Sequence, residues 1–290
     1  EVLFPKGSLS QVQAIYKNDS AADACGRQMA QFIASCAREH HAVHPGVPFR
    51  VLEAGAGTGA TSLLVLKELA ALPGPLEFLY TDLSPTFLEH GRRTCGEAYP
   101  FASFEKLDLE HAPASQGFHE GSIDLIFACN VLHATRNIAE TLANLKWLLR
   151  PQGILSLIEV TRAHDFATLL FGLTSGWWRY QDEAIRIPDS PLLTPESWQR
   201  SLASAGFGGV VALSEDPSSQ WSVMAAESEP AAPKPQPASP SNNVIEEIRA
   251  AFALQPPLPD RHSLTSVQVM PSPVKPALHA QVRPPSMLVE

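Results

Sequence analysis

Apolar runs of strand length alternate with segments of helical period along most of the chain. Residues 8–38 carry no proline, and their pattern predicts a helix from Ser8 through Ala37, followed by a loop, HHAVHPGVP, at 40–48. FRVLEAGAG (49–57) predicts a short strand running into glycines. TSLLVLKELAAL (61–72) sets Leu63, Leu64, Val65, Leu69 and Leu72 on or near one helical face. A second strand, PLEFLYTDLS (75–84), ends in Asp82. The helix after it, PTFLEHGRRTC (85–95), opens with proline, whose fixed φ and missing N–H suit a first helical turn. FASFEKLDLE (101–110) gives a third strand and SIDLIFACNVL (122–132) a fourth, apolar almost throughout as in a strand covered on both faces. IAETLANLKWLLR (138–150) is an amphipathic helix, and PQGILSLIEV (151–160) reads as a Pro-Gly turn and a fifth strand.

This alternation implies an α/β fold, a doubly wound and mostly parallel sheet. A less regular insert follows at 161–193 and reads as a lid. Thr194-Pro195 then caps and opens a helix at 195–205, which Gly206 ends. GGVVALSE (208–215) and QWSVMAAE (220–227) predict two final antiparallel strands, which bring the sheet to seven. The expected organisation is an N-terminal helical cap at 1–48, a core at 49–228, and a proline-rich stretch at 229–290. Proline draws that last boundary: of 26, thirteen fall in the final 62 residues. That stretch reads as an extended or disordered linker with one short helix at 242–254.

Composition narrows the partners. The net charge is −9 and no Lys/Arg cluster exceeds two adjacent residues, which argues against electrostatic nucleic-acid binding. No apolar run approaches the roughly 18 residues of a membrane span. The start, EVLFPKGSLS, has neither a basic region nor an apolar core of a signal peptide, and without an initiator Met it reads as a piece of a longer chain. Cys25, Cys36, Cys95 and Cys129 have no metal or disulfide-scaffold spacing, so reduced thiols in a cytoplasmic protein are expected.

The strongest local signal is Glu53-Ala-Gly55-Ala-Gly57-Thr-Gly59-Ala, set between a strand and a helix. Gly55, Gly57 and Ala60 satisfy the dinucleotide fingerprint, and both a nicotinamide cofactor and S-adenosylmethionine use such a loop. Glu53 disfavours a pyrophosphate and suits a cationic amino-acid ligand. Asp82 is placed for both ribose hydroxyls of either cofactor, and Asp108-Leu109 suits the adenine amine and its apolar face. None of Tyr16, Tyr80, Tyr99 and Tyr180 is followed four residues on by lysine, as hydride transfer of the Tyr-x-x-x-Lys kind would need. S-adenosylmethionine is therefore the expected cofactor, with Leu83 and Asn130 beside the strand ends completing its set. No metal is expected: His40, His41 and His44 lie in a Pro-Gly loop without an acidic or cysteine partner and read as solvated.

EVLFPKGSLSQVQAIYK (1–17), VLEAGAGTGATS (51–62), YTDLSPTFL (80–88), NVLHATRNI (130–138) and FGLTSGWWRYQDEAIRIPDSPLLTPESWQRSLASAGF (171–207) together resemble the methyltransferase domain of modular polyketide synthases, particularly those served by acyltransferases in trans. The resemblance covers almost all of 1–228. It implies a class I S-adenosylmethionine-dependent methyltransferase that acts on an intermediate tethered to an acyl carrier protein, alongside neighbouring synthase domains, with the isolated domain monomeric. It also assigns His133 and Glu159 as a catalytic dyad. His133 follows the fourth strand and Glu159 closes the fifth, its neighbour in this family's order. A carboxylate beside an imidazole can fix its tautomer and raise its basicity. Methylation of a carbon between a ketone and a thioester, or of an oxygen, needs such a general base. Carbon is the favoured acceptor; O-methylation of a β-hydroxyl or enol, and a non-catalytic scaffold, are the alternatives. Trp177, Trp178, Tyr180 and Tyr16 are candidate walls of an acyl channel. Arg136 and Arg179 read as solvated. One departure stands out: where the family carries an aromatic pair and Asn, this chain has Ala24-Cys25-Gly26, which puts the acceptor in question.

Overall fold

A computed structural model describes residues 20–163, 165–212 and 220–229. The expected helix start at Ser8, the candidate Tyr16, and the proline-rich stretch beyond residue 229 with its helix at 242–254 lie outside the described residues.

Seven strands form one sheet: β1 (Phe49–Ala54), β2 (Leu76–Asp82), β3 (Ala102–Lys106), β4 (Ile123–Cys129), β5 (Leu149–Val160), β6 (Phe207–Ala212) and β7 (Trp221–Ser228). Their spatial order is β3-β2-β1-β4-β5-β7-β6. β1 to β5 pair in parallel, and β7 runs antiparallel to both β5 and β6. Sequence order reverses at β1 and β4, so a crevice for ligands opens at the carboxyl ends of these two strands. The described helices are α1 (Ser20–Val43), α2 (Ala60–Ala70), α3 (Pro85–Gly91), α4 (Ile138–Leu148), α5 (Asp165–Phe171) and α6 (Pro195–Ser204), joined by short 3-10 and π turns.

Period-two alternation puts successive strand residues on opposite faces. Val51, Leu125 and Phe127 pack with Met29, Ile33, Leu66 and Leu69 from α1 and α2. Leu52, Ile126 and Ala128 pack with Leu142 and Leu145 of α4 and Trp198 of α6. This explains the unbroken apolar run of β4, buried from Ile123 to Ala128 with Asp124 the one charged residue in it. Each fully buried leucine, isoleucine or phenylalanine here contributes about 1.5–3 kcal/mol. Ala24 and Cys25 are buried, and a Cβ on Gly26 would lie 2.9 Å from Leu64 Cδ1. The small residues that depart from the family pattern thus let α1 close on α2.

Four local expectations are corrected. α1 continues to Val43 instead of stopping at Ala37. Contacts made across the fold extend it: His41 Nε2 lies 2.9 Å from the Pro75 carbonyl, and the His40 ring packs 5.3 Å from that of Phe49. His40 and His41 are therefore half-buried on the last helical turn and do not sit in a solvated loop. The helix after β2 widens into a π turn at Arg92–Gly96. β3 stops at Lys106, two residues short of Asp108. The Pro151–Gly153 segment is a bulge inside β5: Leu149 pairs with Ile123 and the next pair is Ile154 with Leu125, while Gln152 takes a left-handed φ of 63°. No described helix is long and apolar enough to cross a membrane.

Candidate active site

The glycine loop leaves β1 at the switch point and turns into α2. Gly55, Gly57 and Gly59 adopt φ of 67°, 56° and 76°, a region that favours glycine. A Cβ on Gly55 would fall 2.6 Å from Val131 Cγ1, so the loop runs hard against the segment after β4. A Cβ on Gly57 would meet nothing within 4 Å, so the chain there borders open space. The end of β2 straps the loop down: Asp82 Oδ2 accepts from the Gly57 N–H at 2.9 Å, the Tyr80 hydroxyl donates to the Gly57 carbonyl at 3.0 Å, and the Ala56 N–H donates to the Thr81 carbonyl at 2.9 Å. The other Asp82 oxygen accepts from the Ser84 N–H at 2.7 Å. Burial raises the Asp82 carboxyl above its usual range, and these N–H donors pull it back. Leu83, next to it, is half exposed.

Glu53 is buried at the end of β1, and its Oε2 has no hydrogen-bond partner among the described residues. Burial pushes its carboxyl up to about 8; the Ser62 hydroxyl opposes the shift and nearby Asp82 adds to it. The group is thus neutral at pH 7 unless a positive charge arrives beside it. Asp108 already has partners within the fold. Its Oδ1 accepts from the Glu110 N–H at 3.0 Å and its Oδ2 lies 2.9 Å from His111 Nδ1, while Leu109 is buried. Asn130 has a left-handed φ of 54°. Its Oδ1 accepts from the Val160 N–H at 3.0 Å, which joins the ends of β4 and β5.

His133 sits in a 3-10 turn, Leu132–Ala134, just beyond β4. β5 lies alongside, with Ile158 opposite Cys129, and so delivers Glu159 to that turn. Glu159 Oε2 lies 2.5 Å from His133 Nδ1, and Oε1 accepts from the N–H groups of Leu132 at 3.0 Å and Val131 at 3.3 Å. Both side chains are buried. With Nδ1 committed to the carboxylate, the lone pair of the neutral ring is on Nε2.

Of the three aromatic candidates in the insert, Trp177 meets His133. It is buried, its ring centroid 6.3 Å from the imidazole at 71°, and it stacks on Phe171 at 5.9 Å. Trp178 is half exposed and donates its indole N–H to the Gly172 carbonyl at 2.9 Å, and Tyr180 lies beneath Arg186 at 5.5 Å. Arg136 and Arg179 are partly exposed, as expected, but both pair with Glu110, at 3.4 and 3.3 Å. Sequence reasoning passed over Asp182 and Arg186. Arg186 is buried and reaches the main chain of the His133 turn. Its only sequence signal was an acid and a base four residues apart. Cys36, Cys95 and Cys129 form no disulfide among the described residues. Among the described residues no group of three or more His, Cys, Asp or Glu side chains is arranged to hold a metal ion.

Residues 52–155 match the family model described as a methyltransferase domain. The chain is 38% identical over 216 residues to the polyketide synthase PksR of Bacillus subtilis (strain 168), an alignment that covers 74% of this chain and 8% of that synthase. Among solved structures, the CurJ carbon methyltransferase superposes with a TM-score of 0.71 at 34% identity, covering 79% of this chain and 60% of that one. The DszA carbon methyltransferase gives 0.70 at 37%, covering 79% and 59%. The seven-stranded sheet with its glycine loop is that of a class I S-adenosylmethionine-dependent methyltransferase. Within that class, the chain belongs to the methyltransferase domains of polyketide synthases.

Proposed function

We propose that this domain transfers a methyl group from S-adenosylmethionine to the α-carbon of a β-ketoacyl chain, held as a thioester on an acyl carrier protein of a cytoplasmic synthase served by acyltransferases in trans. The observation that carries this reading is the buried His133–Glu159 pair at 2.5 Å, two residues along from Val131, against which the glycine loop packs.

The residues on the cofactor side fit the donor. The unpartnered Glu53 oxygen suits its amino group, Asp82 its ribose hydroxyls, and exposed Leu83 its apolar face. Asp108 and Leu109 would border the adenine, with Asn130 shaping the floor between β4 and β5. When bound, the cofactor supplies an electrophilic methyl group on a sulfonium. The remaining steps belong to the protein. His133 Nε2 takes the α-proton, and the electron pair of that C–H bond becomes the enolate nucleophile. Glu159 holds the ring in the required tautomer and balances the imidazolium that forms. Trp177 shields this proton transfer from water, while Trp178 and Tyr180 border the acyl path. The domain works alongside neighbouring synthase domains, and in isolation it is a monomer.

The test is incubation with a β-ketoacyl carrier protein and S-adenosylmethionine, followed by mass and fragmentation analysis of the product. A methyl on the α-carbon is expected; a methyl on oxygen overturns the acceptor, and no transfer at all revives a scaffold role. His133→Ala should lower turnover by about 10²–10⁴-fold while cofactor affinity stays within about twofold. Full activity in that variant removes His133 as the base.

A further inference from the structure

We infer that Arg186, together with Asp182, is a positioning residue for His133, clamping the main chain of the turn that carries the imidazole and tying it to the insert. The inference rests on the proposed role of His133 as the base.

The guanidinium is 1% exposed. Nε donates to Asp182 Oδ1 at 2.6 Å. Nη1 donates to the carbonyls of His133 at 2.6 Å and Pro191 at 2.5 Å, and Nη2 to the Thr135 carbonyl at 2.9 Å. Four of the five N–H groups a guanidinium carries thus have acceptors in place. Three are main-chain carbonyls, and two belong to the residues at and just after the imidazole. The second Asp182 oxygen accepts from the Ile138 N–H at 2.7 Å, in the first turn of α4. The Gln181 N–H donates to the Arg136 carbonyl at 2.8 Å. Residues 133, 135, 136 and 138 are therefore laced to 181–191.

This complements the contacts of Glu159. Glu159 takes the N–H groups on the way into the turn, at Val131 and Leu132, and Arg186 takes the carbonyls on the way out, at His133 and Thr135. The ring is fixed by the carboxylate and the backbone beneath it by the guanidinium. Burying a guanidinium is costly, and packing alone is better served by an apolar side chain. Lysine, a compact charge with three donors, cannot reproduce the planar fork that reaches both carbonyls. Since Arg186 belongs to the insert that also carries Trp177, order in the insert and aim of the imidazole rise and fall together.

The experiment compares Arg186→Gln, Arg186→Lys and Asp182→Asn with the parent domain and His133→Ala. It reads four quantities: kcat and KM with a β-ketoacyl carrier, cofactor Kd, deuterium uptake at the substrate α-carbon without cofactor, and amide hydrogen exchange of residues 131–137. A base displaced by about 1 Å loses about 100-fold in rate, so Arg186→Gln should slow turnover and α-deuteration together by that order, with KM and cofactor Kd within about threefold. Amide protection at 131–137 should fall, and Arg186→Lys should recover part of both effects. A folded Arg186→Gln protein that keeps parental α-deuteration and amide protection overturns the clamp. If Arg186→Gln does not fold, the same criterion applies to Arg186→Lys and Asp182→Asn. If His133→Ala deuterates at the parental rate, the base reading falls, and the amide exchange alone then decides whether Arg186 braces the turn.

Discussion

Glu53 and Glu159 are buried carboxyl groups, each one residue from the end of its strand, on the two strands that flank β4. Their surroundings are opposite. Glu159 is met by an imidazole and two main-chain N–H groups, so both oxygens are committed within the fold. Glu53 keeps one oxygen without a partner among the described residues, and burial pushes it up to about 8. The His133 side is thus a finished arrangement, assembled when β5 pairs with β4. On the proposed reading, the glycine-loop side is completed by a ligand that brings the missing charge. Preorganised groups carry chemistry best, because they need no rearrangement as charge develops. A binding group that lacks a partner does the reverse: it ties affinity to the arrival of the cation.

The largest test strikes the finished side. In Glu159→Gln, the amide oxygen can still accept from Val131 and Leu132, but an NH₂ group then faces His133 Nδ1. The neutral ring must turn its lone pair toward that amide and carry its proton on Nε2. Turnover should fall by about 10- to 100-fold, less than for His133→Ala, with cofactor affinity unchanged. Single-turnover kinetics with equilibrium dialysis would check both. A parental rate would show that Glu159 is a structural anion and that the two sides do not differ in kind.

The two sides also differ in how much of them could be read in advance. Everything that forms the glycine loop lies within Glu53–Ala60, and local backbone demands write themselves locally: left-handed positions select glycine, and a strand–loop–helix order selects the ligand class. The seven strands were likewise visible, β4 most plainly because burial on both faces leaves a nearly unbroken apolar run. The His133–Glu159 contact spans 26 residues and follows only once β5 is known to lie beside β4. The Arg186 contacts span 51 and 53 residues and end on main-chain carbonyls, which every residue possesses, so no side-chain pattern marks them. At Asp108 only the end of β3 was misplaced: the strand stops at Lys106, two residues before Asp108, whose carboxylate meets the Glu110 N–H and His111. The extension of α1 to Val43 was hidden for a similar reason, since the contacts that hold His40 and His41 come from Phe49 and Pro75.

The open side has its own signature in pH. With a folded value of about 8 against an ordinary 4.5, Glu53 holds its proton in the folded state over a range where the unfolded chain has released it. Unfolding therefore becomes easier as pH rises from about 4.5 to about 8, by about 1.4 kcal/mol per pH unit from this group, and the effect levels off above that range. Glu53→Gln cannot ionise and should lose this slope. Urea unfolding of both proteins at pH 5, 6, 7 and 8 should give curves that diverge with pH, the variant becoming relatively more stable. Cofactor binding at pH 7 should release a proton in the parent and none in Glu53→Gln, which calorimetry in buffers of different ionisation heat would register. Parallel pH profiles would mean that Glu53 is satisfied within the fold like Glu159, and the contrast would fail.

The smallest expected effect separates the two sides within the loop itself. Alanine at Gly57 keeps a left-handed φ of 56° at a cost of about 1 kcal/mol, and its Cβ meets no atom within 4 Å. That methyl enters the open space beside the loop, so cofactor affinity should fall by about tenfold, or about 1.4 kcal/mol, while α-deuteration of the substrate stays parental. Alanine at Gly55 meets Val131 Cγ1 at 2.6 Å and Cγ2 at 2.7 Å, which adds overpacking of about 1–3 kcal/mol. Val131 is also one of the residues whose N–H binds Glu159, so the strain passes into the turn of His133. Gly55→Ala should therefore slow α-deuteration as well as weaken binding. If Gly57→Ala slows α-deuteration equally, the loop and the base share one rigid frame. If Gly55→Ala spares it, the Val131 contact transmits nothing, and the cofactor side and the chemical side are mechanically independent.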